Sequence, residues 1–177
     1  KGAARFLLDF LIEIPAGLPF AGRWVTNPSH SPENAFLKAD GTTAKLTYGA
    51  TMDLEIVHDL FTNTLAALDR FPALSAEDRS FRDELTRALD RLVPLQISAR
   101  TGRLQEWIED YDEPEPGHRH ISHMYALYPA HQVSLQKTPD LARAAKASLE
   151  YRLSHDYHPT GWSLAWMMHL WSRLLEP

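Results

Sequence analysis

The 177-residue sequence contains no cysteine, only eight glycines and no run of more than two consecutive basic residues. The absence of cysteine excludes disulfide bonds, thiolate metal ligands and a cysteine nucleophile, but it does not identify a cellular compartment. The few glycines form neither a P-loop nor a dinucleotide-binding fingerprint, so phosphate binding is not supported. A net charge of −5 without basic runs argues against nucleic acid as a partner.

Long apolar runs are also missing. The strongest candidate, residues 161–175, is interrupted by His169 and Arg173, whereas a membrane-spanning helix needs about 20 apolar residues. We therefore expect no membrane span. There is no GxSxG motif, and Ser163 begins an apolar helical pattern, so serine hydrolase chemistry is not supported. With 44% hydrophobic and 23% charged residues, the composition is that of one globular domain.

Hydrophobic periodicity predicts a chain dominated by helices. We expect them at residues 1–13, from Thr51 to Pro72, from Ser75 to Pro94, at 122–128, after Thr138-Pro139 and at 161–176. Thr51 and Ser75 are predicted N-caps. The last helix is apolar nearly all round, which predicts burial on several sides. Asp40-Gly41 predicts a β-hairpin over residues 36–49, and a short strand is expected at 23–26.

One stretch, residues 102–129, is unusually rich in groups that could carry chemistry. Six carboxylates and three histidines lie between Glu106 and His123. Two histidines three residues apart, His120 and His123, could share a helical face and a metal, but no HExxH spacing is present. The alternative is a hydrogen-bonding loop in which His118 is solvated and the other two histidines bond to buried carbonyls.

The same stretch also suits sugar binding. Carboxylate, guanidinium and imidazole groups bind hydroxyls, and aromatic rings pack against the C–H face of a sugar; this stretch supplies Gln105, Glu106, Trp107, Arg119 and His120. A glycosidase also needs a proton donor for the leaving oxygen. Glu33 is a candidate because Pro32 stiffens the preceding backbone and Trp24 could desolvate the carboxyl group. The alternative is that Ser-Pro-Glu is simply a helix or turn cap.

Four sequence blocks, in this order, resemble the catalytic domain of glycoside hydrolase family 95, the inverting α-L-fucosidases, some of which prefer α-L-galactosides. The blocks are VTNPSHSPENAF (25–36), YGATMDLEIVHDLF (48–61), GRLQEWIEDYDEPEPGHRHISHMYALYP (102–129) and PTGWSLAWMMHLWSRL (159–174). The resemblance covers nearly the whole chain. It implies an all-α fold, part of an (α/α)6 toroid of helical hairpins, with residues 1–177 as the C-terminal part of that barrel. Five or so helices are too few for six hairpins, which agrees with a fragment.

The resemblance also implies roles for individual residues. Glu33 matches the general acid of the family, and Arg119 and His120 match an arginine and a histidine of its fucose pocket. The Gln105-Glu106-Trp107 element lies beside that pocket or supports it, and Trp162 belongs to the substrate-binding set. In the family, an aspartate orients an asparagine that polarises the attacking water.

Two departures from the family pattern concern that water. The asparagine pair belongs to an upstream segment outside these 177 residues, and Asn27 and Asn34 do not match it. The turn at 154–159 reads SHDYHP, without the usual glycines. Asp156 lies where the helper aspartate is expected, within a residue or two, and His158 is its competitor.

The resemblance therefore implies a glycosidase that hydrolyses terminal α-L-fucosides, or related α-L-galactosides, with inversion. The alternative is a carbohydrate-binding or catalytically degenerate module on the same scaffold. The expected partners are a fucosylated oligosaccharide or glycan and the missing N-terminal half of the domain, and the isolated piece is expected to be inactive. No cofactor or metal is expected. The resemblance alone favours a secreted or periplasmic protein.

Overall fold

The computed structural model of this chain describes residues 1–175. Within that range the chain is mainly helical, with a few short antiparallel strands. The α-helices are α1 (Gly2–Phe10), α2 (Thr51–Leu68), α3 (Ala76–Arg91), α4 (Pro139–Leu153) and α5 (Gly161–Arg173), and a 3₁₀-helix covers Ser122–Met124. The strands are β1 (Leu11–Glu13), β2 (Trp24–Thr26), β3 (Ser29–His30), β4 (Phe36–Leu37), β5 (Thr43–Ala44) and β6 (Leu46–Thr47).

The predicted helices are present, with changes at their ends. Helix α3 is capped as expected, because the Ser75 hydroxyl accepts a hydrogen bond from the Asp78 amide. Helix α2 begins at Thr51, but its N-cap is Ala50, so the predicted capping role of Thr51 is wrong. The helix predicted for 122–128 is only a 3₁₀ turn over Ser122–Met124. The first helix ends at Phe10 because the next three residues pair with a strand.

The strands form three two-stranded antiparallel sheets. The strand expected at 23–26 is confirmed as β2, and it pairs with β1. The predicted hairpin is confirmed only in its first part, where β4 pairs with β5 around Asp40. The Asp40 carboxylate holds this turn by accepting bonds from the Thr42 amide and hydroxyl. Strand β6 instead pairs with β3, which ties the segment before Glu33 to the start of α2.

Two hydrophobic cores form in the described part of the chain. Helices α1, α2 and α3 pack on β2 around a cluster whose most deeply buried members include Val25, Val57, Phe61, Phe81 and Leu85. Helices α4 and α5 pack on residues 104–133 around Leu104, Ile121, Met124, Leu127, Leu149 and Leu170. Segments that lack regular structure, residues 31–35 and 92–121 above all, run between the cores and carry the polar residues described below.

Helix α5 differs most from expectation. Burial on several sides is wrong for this structure, because Leu164 is 47% exposed and Met168 is 70% exposed. The helix ends at Arg173, and the predicted last residue, Glu176, lies outside the described residues. No helix within residues 1–175 is both long and apolar enough to cross a membrane.

Candidate active site

The N-terminus of α2 brings two loops together. The first amides of a helix lack intrahelical partners, and here the Thr51 amide donates to the Glu106 carbonyl at 3.2 Å. The Thr51 hydroxyl donates to the Gln105 carbonyl at 2.7 Å. In the same first turn, the Asp53 carboxylate accepts a bond from the Ser29 hydroxyl at 2.6 Å. The loop after Ser29 and the loop containing Gln105-Glu106 therefore start from the same helix end.

At the surface the two loops bring Glu33, Arg119 and His120 together. A carboxylate oxygen of Glu33 lies 2.7 Å from an Arg119 terminal nitrogen and 3.5 Å from His120 Nε2. Partial burial lowers the pKa of His120, so its imidazole is neutral near pH 7. The expected desolvation by Trp24 is wrong: the Glu33 side chain is 58% exposed, and Trp24 packs under Arg91. Glu33 nonetheless has a cation and an imidazole within reach.

The residues on both sides of Glu33 are held from beneath. The hydroxyl of Ser31, a fully buried residue, donates to Glu106 Oε1 at 2.7 Å. The side-chain nitrogen Nδ2 of Asn34, which is also buried, lies 3.2 Å from both Glu106 carboxylate oxygens. The Pro32 carbonyl accepts a bond from the Ser122 hydroxyl. An exposed acid is thus carried on a short loop whose other members are fixed.

The anchor beneath that loop is a buried ionic network. Arg152, 2% exposed, donates to Glu106 Oε2 at 2.8 Å through one terminal nitrogen and to Glu113 Oε2 through the other. Asn34 also donates to Glu113 Oε2, at 2.9 Å. Arg103 lies 3.6 Å from Glu113 Oε1 and stacks on a tyrosine ring. Two carboxylates thus face two guanidinium groups, which meets the need of buried charges for partners.

Of the three histidines of this stretch, only His118 has a hydrogen-bonded ring in the described part of the chain, and the expected bonds from His120 and His123 to buried carbonyls are not formed. His118 is buried rather than solvated, and its Nδ1 accepts a bond from the His120 amide at 3.0 Å. His123 Nδ1 lies 3.3 Å from the Glu106 carboxylate. Burial lowers the pKa of His123 to about 3, so that imidazole is neutral and the contact is not an ion pair. Among residues 1–175 no group of three histidine or carboxylate side chains is arranged to hold a metal.

The start of α5 and the turn before it complete the surface. Trp162 is 47% exposed, and its ring meets His120 edge-on with 4.8 Å between centroids. The Asp156 side chain is 94% exposed and lies 3.3 Å from His158. The 155–156 backbone reaches the histidine loop at Gly117, where a Cβ atom would be 1.7 Å from the His155 carbonyl oxygen. Only glycine permits this approach, which brings Asp156 to the edge of the cluster.

The Gln105-Glu106-Trp107 element lies below the surface. Trp107 is 3% exposed and packs against Phe36, with 5.6 Å between ring centroids. Its indole, with Glu106 and His123, lines a cavity of about 30 Å³. That space suits a water molecule and is far below the roughly 300 Å³ of small-molecule sites. In this structure the element sits behind the Glu33 loop, with only Gln105 half exposed.

Sequence reasoning missed three residues that hold the site: Ser122, Glu113 and Arg152. Glu113 lies inside the acidic stretch, where nothing local distinguishes it from its exposed neighbours. Arg152 occupies the last turn of α4, where a basic residue is ordinary because it complements the helix dipole. Its burial follows from contacts 36 to 46 residues away in sequence. No local signal could have identified it.

Comparison with known proteins identifies the family of this chain. Alpha-L-fucosidase 2 of Arabidopsis thaliana is 36% identical over 174 residues, which is 98% of this chain and 19% of that protein. A probable alpha-fucosidase A of Aspergillus niger is 29% identical, over 98% of this chain and 21% of its own length. A second probable alpha-fucosidase A, from Aspergillus oryzae, is 26% identical over 86% of this chain. The chain thus spans about a fifth of the length of these relatives. The sequence profile of the glycosyl hydrolase family 95 catalytic domain matches residues 1–177, and the chain therefore belongs to that family.

Proposed function

We propose that the full-length protein containing this chain hydrolyses terminal α-L-fucosides, or related α-L-galactosides, with inversion at the anomeric carbon, and that Glu33 is the general acid. One observation carries the proposal. In a family 95 chain, the Glu33 carboxyl group is solvent-accessible and lies 2.7 Å from Arg119 and 3.5 Å from His120. A proton donor and two hydroxyl-binding groups thus share one surface.

The chemistry divides among these groups. Glu33 in its protonated form gives a proton to the leaving oxygen, while water attacks the opposite face of the sugar ring. Arg119 and the neutral imidazole of His120 bind sugar hydroxyls, and the half-exposed ring of Trp162 packs against the sugar's C–H face. A hydroxyl that binds Arg119 competes with its ion pair to Glu33. Substrate binding therefore also frees the acid for proton transfer.

The water-activating side of the reaction is shared with residues outside this chain. We propose that Asp156 orients the group that polarises the water. Its position next to Gly117, at the edge of the histidine loop, supports this role. An inverting mechanism needs roughly 6.5–9.5 Å between the acid and the water-activating group, which leaves room for the water.

Residues 1–177 are proposed to be the C-terminal part of an (α/α)6 toroid completed by the missing N-terminal half of the domain. Helix pairs with polar loops between two cores suit such an architecture. The relatives are about five times longer, and α5 exposes apolar side chains such as Leu164 and Met168. Exposed apolar surface of this kind is typical of an interface. The substrate would be a fucosylated oligosaccharide or glycan, with Gln105, Glu106 and Trp107 supporting the pocket.

The test is Glu33→Gln in the full-length protein. Gln cannot donate an acidic proton, so turnover of an unactivated fucoside should fall by about 10²- to 10⁴-fold, the usual contribution of general acid catalysis. Because the side chain is exposed, the midpoint of thermal unfolding should not change. Glu150→Gln, on the exposed side of α4, is the matched control and should keep full activity. Unchanged turnover in Glu33→Gln would rule out Glu33 as the acid.

A second candidate is a carbohydrate-binding or catalytically degenerate module. The exposure of Asp156 favours this candidate, because its side chain is 94% accessible and its nearest partner, His158, is 79% accessible. The turn that carries Asp156 also lacks the family's glycines. A glycan array on the full-length protein, combined with a fucose-release assay, separates the candidates. Binding without release of fucose would favour the module.

A further inference from the structure

Glu33 stands on a loop that has no regular structure of its own, yet every other member of the loop is fixed. Ser31 and Asn34 both donate to the Glu106 carboxylate, and Asn34 donates to Glu113 as well. The Asn34 amide also closes a backbone bond to the Ser31 carbonyl at 2.9 Å. The direction of the Glu33 side chain therefore depends on where these two carboxylates are held.

Both carboxylates are held by one side chain, Arg152. Its planar guanidinium group places one terminal nitrogen on Glu106 and the other on Glu113. The second nitrogen also reaches the carbonyls of Glu115 and Pro116, at 3.4 and 3.2 Å. These carbonyls directly precede Gly117, at the start of the loop that supplies Arg119 and His120. One guanidinium thus joins the supports of the acid loop to the loop of its partners.

No other residue type fits this position. A guanidinium is a rigid fork that can bind two carboxylates at once, whereas a lysine ammonium is a point charge on a flexible stem. Arg152 is 2% exposed, so its contacts are shielded from bulk solvent. Its side chain touches neither Glu33 nor the exposed cluster around it, and any effect on catalysis must pass through Glu106, Glu113 and the loop they hold.

We infer that Arg152 is a positioning residue: it fixes the Glu106 and Glu113 carboxylates so that the Ser31–Asn34 loop presents Glu33 to the leaving oxygen. This inference rests on the proposed function of Glu33. It predicts that substitution of Arg152 gives the same kind of kinetic defect as substitution of Glu33. The defect is confined to reactions in which the leaving group needs a proton, and substrate binding changes little.

The experiment uses the full-length protein and two substrates, an unactivated α-L-fucoside disaccharide and α-L-fucosyl fluoride, whose leaving group needs no proton. Arg152→Lys should lower kcat on the disaccharide about 10- to 100-fold, because displacements near 1 Å cost up to about 10²-fold. KM and turnover of the fluoride should stay within about threefold. Arg143→Lys, exposed on the same helix, is the matched control and should behave as wild type.

A double-mutant cycle separates this inference from the proposed function. If Arg152 acts through Glu33, adding Arg152→Lys to Glu33→Gln should cost less than about threefold more on the disaccharide. Equal losses on both substrates, no loss at all, or additive losses in the cycle would each overturn the positioning role. If Glu33→Gln alone shows no preference for the fluoride, the proposed function fails instead.

A milder variant covers the case in which Arg152→Lys does not fold. Ser31→Ala removes one hydrogen bond between the acid loop and Glu106 and leaves the buried ion pairs intact. It should show the same selective loss on the disaccharide at a smaller amplitude, about 3- to 10-fold, and it should keep a cooperative thermal transition with a lower midpoint, because one buried hydrogen bond to a charged group is lost. Equal loss on both substrates in Ser31→Ala would overturn the inference without reference to Arg152.

Discussion

The contact between Gly117 and the 155–156 backbone gives the sharpest prediction. In Gly117→Ala the new methyl carbon would lie 1.7 Å from the His155 carbonyl oxygen and 2.8 Å from the Asp156 carbonyl oxygen. Ordinary van der Waals contact needs about 3.4 Å, so a separation of roughly 1.7 Å has to be gained. Both clashing groups are backbone, and no side-chain rotation can relieve them. One of the two loops must therefore move.

Such a displacement affects both stability and turnover. Overpacking of this kind costs about 1–3 kcal/mol or more, and a shift above 1 Å in a catalytic loop lowers kcat about 10²-fold. We expect both effects in the full-length Gly117→Ala enzyme, measured by thermal unfolding and by fucose release. Gly2→Ala, where a methyl group meets nothing within 4 Å, is the control. A variant with wild-type turnover would refute the close approach of these loops and the proposed position of Asp156.

Two further predictions concern His123 and Trp162. The pKa of His123 falls from its unfolded value of 6.5 to about 3, so between these pH values only the unfolded chain binds the proton. Local stability should drop by about 3 kcal/mol from pH 7 to pH 4.5, measured by hydrogen exchange around the 3₁₀-helix. An equal drop in His123→Gln would contradict this. Trp162→Ala should raise KM for a fucoside about tenfold, because the contact between the indole ring and the sugar is lost. This change corresponds to about 1.4 kcal/mol of binding free energy. Phe71→Ala, which removes an exposed ring outside the Glu33 cluster, should leave KM unchanged, and steady-state kinetics on both variants tests this.

Local signals predicted the helices and turns well because each depends on a few neighbouring residues. Ser75 caps α3, Pro139 opens α4, and Asp40 holds the hairpin turn. Strand partners were not predictable in this way. Residues 11–13 extend a helical pattern in sequence, yet they pair with β2, and β6 leaves the hairpin to pair with β3. Pairing depends on residues distant in sequence, and periodicity carries no information about them.

The candidate site also has a part that local sequence signals predict and a part that depends on residues distant in sequence. The members nearest the surface belong to short sequence blocks that are recognisable by their order along the chain, and they meet at one place; they are Glu33, Arg119, His120 and Trp162. The buried support could not be predicted. Charged residues such as Arg152 are normally exposed, and its burial is understandable only once partners 39 and 46 residues away are in place.

The buried ionisable groups beneath the site are of two kinds, neutral groups and members of an ion pair. This difference explains which of them can position Glu33. Glu55 on α2 is fully buried, and desolvation raises its pKa well above the ordinary value, which favours the neutral form. His123 is neutral for the same reason, by loss of its proton. Glu106 and Arg152 are equally buried, but they have each other at 2.8 Å. A charged side chain can be buried only where an oppositely charged partner offsets the free-energy cost of its desolvation. A charged pair fixes both distance and direction, whereas a neutral group constrains its neighbours only by contact. The loop that needs a fixed geometry, Ser31–Asn34, is the one bound to the charged pair.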